Sequence, residues 1–110
     1  GSAYDATGWP GVVGLAVTSY LAIAPPTPLS EGFRLVQQLR ERGVLATMDY
    51  EGKSLKAQLR EADKAGCRLV AILGEAELTQ RSVTVKDLEQ GSQQTIALDR
   101  FVDDAHTRLR

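Results

Sequence analysis

Four basic side chains recur at helical spacing in the middle of the sequence: Lys53, Lys56, Arg60 and Lys64. Their separations of three, four and four residues place them on one face of a helix, where they present a row of positive charge. From Lys53 to Arg68 the sequence holds five basic and two acidic residues, a local excess of three positive charges. A surface that binds RNA phosphates requires such clustering, but a row of this size is also typical of an ordinary solvated helix face. The spacing by itself leaves both interpretations open.

The other reactive residue types do not combine into a catalytic site. The only histidine, His106, lies near the C-terminus outside the apolar stripe of its predicted helix, which is typical of a surface residue. The only cysteine, Cys67, lies between a helix and an apolar strand, which favours a small buried side chain over a nucleophile. No glycine-rich phosphate-binding motif occurs at a strand-to-helix junction. The sequence therefore predicts no catalytic residue, no metal site and no cofactor.

Length and charge favour one small domain without a strong overall attraction to polyanions. The 110 residues are enough for one compact domain with a core and hardly enough for two. Lys and Arg number 13 against 14 Asp and Glu, so the formal charge is −1. No apolar run reaches the roughly 20 residues of a membrane-spanning helix, so no membrane partner is expected. A single thiol excludes an internal disulfide or a zinc site of several thiolates and suits a reducing compartment.

Residues 20–73 show the pattern of three strands that alternate with two helices. The strands are predicted at the apolar runs Tyr20–Ala24, Val44–Asp49 and Arg68–Leu73. The first helix opens at residues 28–31 and ends at Gly43, and its residues at helical spacing are Leu29, Phe33, Val36 and Leu39. The second helix runs from an N-cap at Ser54 to Gly66, and its inward stripe is Leu55, Leu59 and Ala62. This alternation indicates parallel strands joined by right-handed crossovers.

Residues 74–110 add a hairpin and a last helix. A short helical turn, EAELTQ, precedes the strands Ser82–Asp87 and Gln94–Leu98, which flank the turn EQGSQ. Asp99 is expected to cap the last helix, whose core-facing residues are Phe101, Val102, Ala105 and Leu109. The predicted fold is a three-layer α/β domain. Its mixed five-stranded sheet has three parallel strands and an antiparallel hairpin edge, with three main helices.

A series of short motifs follows in fixed order from residue 49 onward. Asp49 ends a strand, and GKSLKAQ at residues 52–58 opens the second helix. ADKAG at residues 62–66 closes that helix, ILGE at 72–75 ends the third strand, and TVKDL at 84–88 lies in the hairpin. The ordered set resembles the C-terminal anticodon-binding domain of histidyl-tRNA synthetases, and the likeness covers about residues 20–110. The fold of that family agrees with the element order predicted above.

Residues 1–19 depart from this resemblance. They begin with Gly-Ser, as a cloning tag does, and two short segments are faintly similar to the end of the catalytic domain that precedes the module in the family. The expected arginine before Tyr4 is missing, as are the helix and long linker expected after Val17. We interpret residues 1–19 as an extension, part tag and part remnant, and residues 20–110 as the anticodon-binding domain.

The resemblance also assigns roles to individual residues by their position. It implies that Glu77, Lys86 and Tyr50 contact anticodon bases, through a carboxylate that accepts, an ammonium that donates and a ring that stacks. From the residues alone, Glu77 is equally well a solvated acid, and Lys86 an outward-facing strand residue. The resemblance also implies a role for the basic row. Its members Lys53, Lys56 and Arg60 would contact RNA phosphates, which does not distinguish one nucleotide sequence from another.

The implied function is a tRNA-binding module that recognises the anticodon stem-loop. A separate class II catalytic domain would attach histidine, and the parent enzyme, a histidine–tRNA ligase, is expected to be cytoplasmic and homodimeric. These 110 residues by themselves are expected to show no aminoacylation. The alternative is a synthetase-like domain that serves protein interaction or regulation without aminoacylation. The near-neutral charge and the 5% aromatic content favour that alternative, whereas the helix and hairpin motifs count against it.

Overall fold

Strands and helices follow one another through the part of the chain that the computed structural model describes, residues 18–109. The predicted extension at residues 1–19 therefore lies almost entirely outside the described residues. Five strands and four helices occur within them, in the order β1 (Ser19–Ile23), α1 (Leu29–Glu41), β2 (Ala46–Met48), α2 (Leu55–Lys64), β3 (Leu69–Leu73), α3 (Glu75–Gln80), β4 (Ser82–Asp87), β5 (Ser92–Ala97) and α4 (Leu98–Leu109).

The strands form one mixed sheet in the order β2-β1-β3-β4-β5. β1 pairs in parallel with β2 and β3, while β4 pairs antiparallel with β3 and β5. This confirms the predicted fold. The apolar runs predicted β1 to β3 well because strands covered on both faces read as nearly continuous apolar segments.

The hairpin turn is shorter than predicted. Ser92 and Gln93 belong to β5 and pair with Asp87 and Lys86, so assigning EQGSQ wholly to the turn was wrong. The buried Asp87 closes the turn with its own side chain, because one carboxylate oxygen accepts from the amides of Glu89 and Gln90, both at 3.0 Å. This local bonding lets the strands pair almost to the turn itself.

The larger core lies on the face of the sheet covered by α1 and α4. The side of α1 that packs on the sheet is centred on Gly32, Leu35, Val36 and Leu39. A Cβ at Gly32 would lie 2.4 Å from Ile23 Cδ1, so the absent side chain brings the helix close to the sheet. Phe33, one of the four apolar residues at helical spacing, is 49% exposed, because the buried side of the helix includes Gly32 and Leu35 in its place. Gly43 ends the helix region at φ +82°, as predicted.

The last helix contributes Phe101 and Ala105 to this core, and Val102 and Leu109 pack against it, as predicted. The helix begins at Leu98, two residues earlier than an N-cap at Asp99 implies, and the Leu98 amide donates to the Arg81 carbonyl at 2.9 Å. Asp99 therefore lies in the first turn rather than at the N-cap.

The second face of the sheet is covered only in part. α2 packs over β1 and β3, and the buried residues there are Tyr20, Ala22, Ala62, Cys67 and Val70. Burial raises the pKa of the Cys67 thiol, which fits the predicted role of a small apolar side chain. Between residues 18 and 109 no helix is long and apolar enough to cross a bilayer.

Candidate nucleic-acid interface

The loop that carries Tyr50 follows β2 at the edge of the sheet where all three parallel strands end. The Tyr50 side chain is 53% exposed. The loop is closed by Asp49, which is almost fully buried and accepts from the Lys53 amide at 2.7 Å. Ser54 then caps α2, since its hydroxyl accepts from the Ala57 amide at 3.2 Å, as predicted. The chain is thus turned sharply into the helix while Tyr50 stays in solvent.

Gln58 ties this loop and α2 to the sheet. Its side chain is fully buried, and its amide oxygen accepts from the Ile23 amide at 2.8 Å. Its amide nitrogen donates to the Ile23 carbonyl at 2.8 Å and to the Lys53 carbonyl at 2.7 Å. Gln58 was not among the residues predicted to have a role. The available signal was a polar residue on the inward stripe, three positions after Leu55 and four before Ala62.

Lys53 is engaged within the protein. Its ammonium group contacts the Glu61 carboxylate closely and lies 3.6 Å from Glu51. Glu61 also accepts from the Tyr20 hydroxyl at 2.8 Å. The hydrogen bond to Glu61 raises the pKa of Lys53, and the bonds from Lys53 and then Tyr20 lower the pKa of Glu61. Burial and then the bond to Glu61 raise the pKa of Tyr20.

The remaining members of the basic row are on the outer side of α2. Lys56, Arg60 and Lys64 are exposed, and within residues 18–109 none of them forms an ion pair. Lys53 precedes the helix and is neutralised by Glu61, whereas the other three cations of the row face solvent. Of the three predicted phosphate contacts, Lys56 and Arg60 therefore have no ion-pair partner among the described residues, whereas Lys53 has one.

Glu77 and Lys86 lie at the part of the sheet that α2 leaves uncovered, on the face to which α2 packs. Val83 and Val85 of β4 point into the core on the α1 side, so Thr84 and Lys86 point to the α2 side. The Glu77 carboxylate accepts from the Gly74 amide at 2.9 Å and from the Thr84 hydroxyl at 3.0 Å. These two bonds fix the carboxylate beside Thr84, and Lys86 follows about 7 Å further along the strand.

The predicted contacts form two groups on either side of α2. Tyr50 follows β2, whereas Lys86 lies on β4, three strands away in the sheet order, or about 14 Å at ordinary strand spacing. α2 packs over the strands between them and presents Lys56 and Arg60. Glu77 and Lys86 thus share one surface, while Tyr50 belongs to another.

A groove of about 460 Å³ lies away from these residues, on the α1 side of the sheet. Its walls include Arg34, Leu35, Arg81 and Leu98, and none of the predicted contact residues lines it. In the part of the chain described here, the His, Cys, Asp and Glu side chains form no group of three or more that could hold a metal ion.

Comparison with known proteins places the chain in a family. Residues 22–106 match the family described as "Anticodon binding domain". The histidine–tRNA ligase of Bacillus velezensis is 47% identical over 68 residues, which are 62% of this chain and 16% of that protein. The histidine–tRNA ligase of Pelotomaculum thermopropionicum is 42% identical over 92 residues, 84% of this chain and 21% of that protein.

A solved structure shares the fold. Apo histidyl-tRNA synthetase of S. aureus superposes with a TM-score of 0.77 at 24% identity, over 86% of this chain and 24% of that one. The chain spans about a fifth of the length of the relatives that it matches. Since the family match extends over well more than half of the sequence, the resemblance inferred from the ordered motifs is confirmed, and this chain belongs to the family of anticodon-binding domains.

Proposed function

We propose that this chain binds the anticodon stem-loop of a tRNA as the tRNA-recognition domain of a histidine–tRNA ligase. The observation that carries the proposal is the partly uncovered sheet face. There the Glu77 carboxylate is fixed beside Thr84, and Lys86 follows two residues further along β4 on the same face, in a chain that matches the family over residues 22–106. An unstacked base presents amino groups to the carboxylate and carbonyl oxygens to the ammonium.

The two kinds of contact have different consequences. Phosphates are the same at every nucleotide, so Lys56 and Arg60 would position the RNA without distinguishing sequences. Base edges differ, so Glu77 and Lys86 would supply the discrimination. The exposed Tyr50 ring offers a stacking surface at the other side of α2. Lys53 contributes chiefly by holding the loop that carries Tyr50, because Glu61 already neutralises its charge.

The parent protein is, in this proposal, a cytoplasmic homodimer in which a class II catalytic domain attaches histidine to the bound tRNA. The histidine–tRNA ligases that match the chain support this assignment. A synthetase-like domain that serves only protein interaction is disfavoured, since these relatives are ligases.

The proposal is tested by titrating the chain with two fluorescent RNA stem-loops. One carries a histidine anticodon, and the other carries the same three bases in permuted order. We expect tighter binding of the first, and we expect Lys86→Ala to reduce the preference about tenfold, a magnitude taken from base readout in DNA. The preference is lost because the permuted bases no longer present the same oxygens to the ammonium.

The matched control is Arg100→Ala, which removes an exposed cation from α4 on the opposite face of the sheet. That variant should keep the affinity and the preference of the wild-type chain. If the wild-type chain binds neither stem-loop, or binds both equally, the proposed function is wrong.

A further inference from the structure

The second strand of the hairpin presents two polar side chains next to Thr84 and Lys86. In the antiparallel register Lys86 pairs with Gln93, and Thr84 pairs with Thr95. Directly paired residues point to the same face of a sheet, with Cβ atoms about 5 Å apart. Gln93 and Thr95 are both exposed, whereas Thr84 and Lys86 are half-buried. The four side chains therefore form a continuous polar surface, which we call the hairpin face: Thr84, Lys86, Gln93 and Thr95.

The hairpin face is polar because no apolar layer reaches it. The apolar residues of the smaller core under α2 extend across the sheet as far as Ile72 of β3, which pairs with Thr84, and they do not continue onto β4 or β5. Ile96 of β5 packs instead against the larger core on the other side of the sheet. The alternation in β5 thus sends its one large apolar side chain away from the hairpin face. On a surface strand this pattern leaves Gln93 and Thr95 without a packing role.

We propose that Gln93 and Thr95 belong to the base-reading surface, and that Gln93 determines anticodon specificity together with Lys86. The inference rests on the proposed function and extends it to β5. The occupant is an unstacked base of the RNA loop, because the hairpin face continues directly from the Glu77 carboxylate through Thr84. Its four side chains include no aromatic ring, so recognition there proceeds through hydrogen bonds rather than stacking.

The chemistry of the Gln93–Lys86 pair explains why it would discriminate. An ammonium only donates, so Lys86 alone favours any base edge with a carbonyl oxygen. A glutamine amide both donates and accepts, and it therefore recognises an edge on which a donor lies beside an acceptor. With the two side chains about 5 Å apart, one base edge is within reach of both. The pair distinguishes bases that the lysine by itself does not.

The adjacent glutamine provides a matched test. Gln94 is the next residue on β5, is also exposed, and points to the opposite face, since its partner Val85 lies in the core. We expect Gln93→Ala to reduce the preference for the histidine anticodon over the permuted one by about tenfold. Gln94→Ala should leave the preference unchanged, and Thr95→Val, which removes only the hydroxyl, should weaken binding severalfold. Thermal unfolding of the three variants checks that their stability is retained.

The outcomes separate the inference from the proposed function. Equal preferences in Gln93→Ala and Gln94→Ala would overturn the inference, and they would leave the proposed function standing if Lys86→Ala lost discrimination. Failure of the wild-type chain to distinguish the stem-loops would overturn both. A loss confined to Gln93→Ala and Thr95→Val, with Gln94→Ala like wild type, would support the assignment of β5 to the readout surface.

Discussion

At the scale of single residues, Glu77 has an observed structural role and a proposed role in base contact, and one substitution would not separate the two. Its two carboxylate oxygens accept from the Gly74 amide and the Thr84 hydroxyl, so the side chain holds the start of α3 against β4. Each oxygen has a second lone pair that an RNA base can use. A loss of binding in Glu77→Ala would therefore reflect either duty.

Two variants separate the roles of Glu77. Glu77→Ala should lower the free energy of unfolding by about 1 kcal/mol, as the removal of a helix cap does. Glu77→Gln should stay within about 0.5 kcal/mol of wild type, because its amide oxygen still accepts from Gly74 and its amide nitrogen donates to Thr84. Urea denaturation measures both changes. If Glu77 reads a base, Glu77→Gln should nevertheless lose preference for the histidine anticodon in the titration. A stable Glu77→Gln with unaltered preference would limit Glu77 to its structural role.

At the scale of elements, the attachment of α2 depends on a residue that apolar patterning overlooks. Gln58 satisfies both backbone groups of Ile23 and the carbonyl of Lys53, and it does so where water is excluded. Gln58→Met keeps a similar volume and removes these hydrogen bonds. We expect a loss of about 3 kcal/mol in the free energy of unfolding, since three buried or half-buried groups are left unpaired at about 1 kcal/mol or more each.

The exposed Gln37 on α1 is the control for this experiment, and Gln37→Met should change stability by less than about 0.5 kcal/mol. Hydrogen exchange gives a second readout, because the amide of Ile23 loses its acceptor in Gln58→Met and should exchange faster. Equal stability of the Gln58 and Gln37 variants would mean that α2 is held by its apolar contacts alone.

The elements themselves were largely predictable, and the exceptions have local causes. Buried strands and amphipathic helices follow from apolar spacing, so the order of the elements, the three parallel strands and the hairpin were predicted from the sequence. Phe33 is exposed despite its helical spacing because Gly32, whose lack of a side chain allows a close approach to Ile23, faces the sheet in its place. The turn was predicted too long because the bonds of Asp87 to the turn amides are invisible to a pattern of apolar residues. Both exceptions arose where one specific contact overrides periodicity.

The candidate site was less predictable, because it depends on which side chains are already engaged. The basic row was visible in the sequence, but its spacing did not show that Glu61 neutralises Lys53 while Lys56 and Arg60 remain in solvent. The link between Glu77 and Thr84 depends on how α3 returns to β4. The roles of Glu77, Lys86 and Tyr50 as base contacts remain predictions.

At the scale of the whole molecule, a chain of net charge −1 must bind a polyanion through local charge alone. The uncompensated candidates for phosphate contact are Lys56 and Arg60, whereas Lys86 is the candidate for a base contact. With about 0.7 counterions released per neutralised phosphate of single-stranded RNA, the logarithm of the association constant should fall with the logarithm of salt concentration at a slope of about −1.4. A strongly basic RNA-binding protein would show a much steeper dependence.

The double variant Lys56→Ala/Arg60→Ala should reduce that slope nearly to zero, because neither of the two predicted phosphate contacts remains. It should weaken binding to the histidine and permuted stem-loops by the same factor, since phosphates carry no sequence information. Arg100→Ala removes the same type of charge from the far side of the sheet and should leave the slope unchanged. Affinities of the three proteins for both stem-loops across a series of salt concentrations provide the measurement. A slope that the double variant does not alter would identify the α2 row as an ordinary solvated face, and the RNA would then have to be held by the sheet and its loops alone.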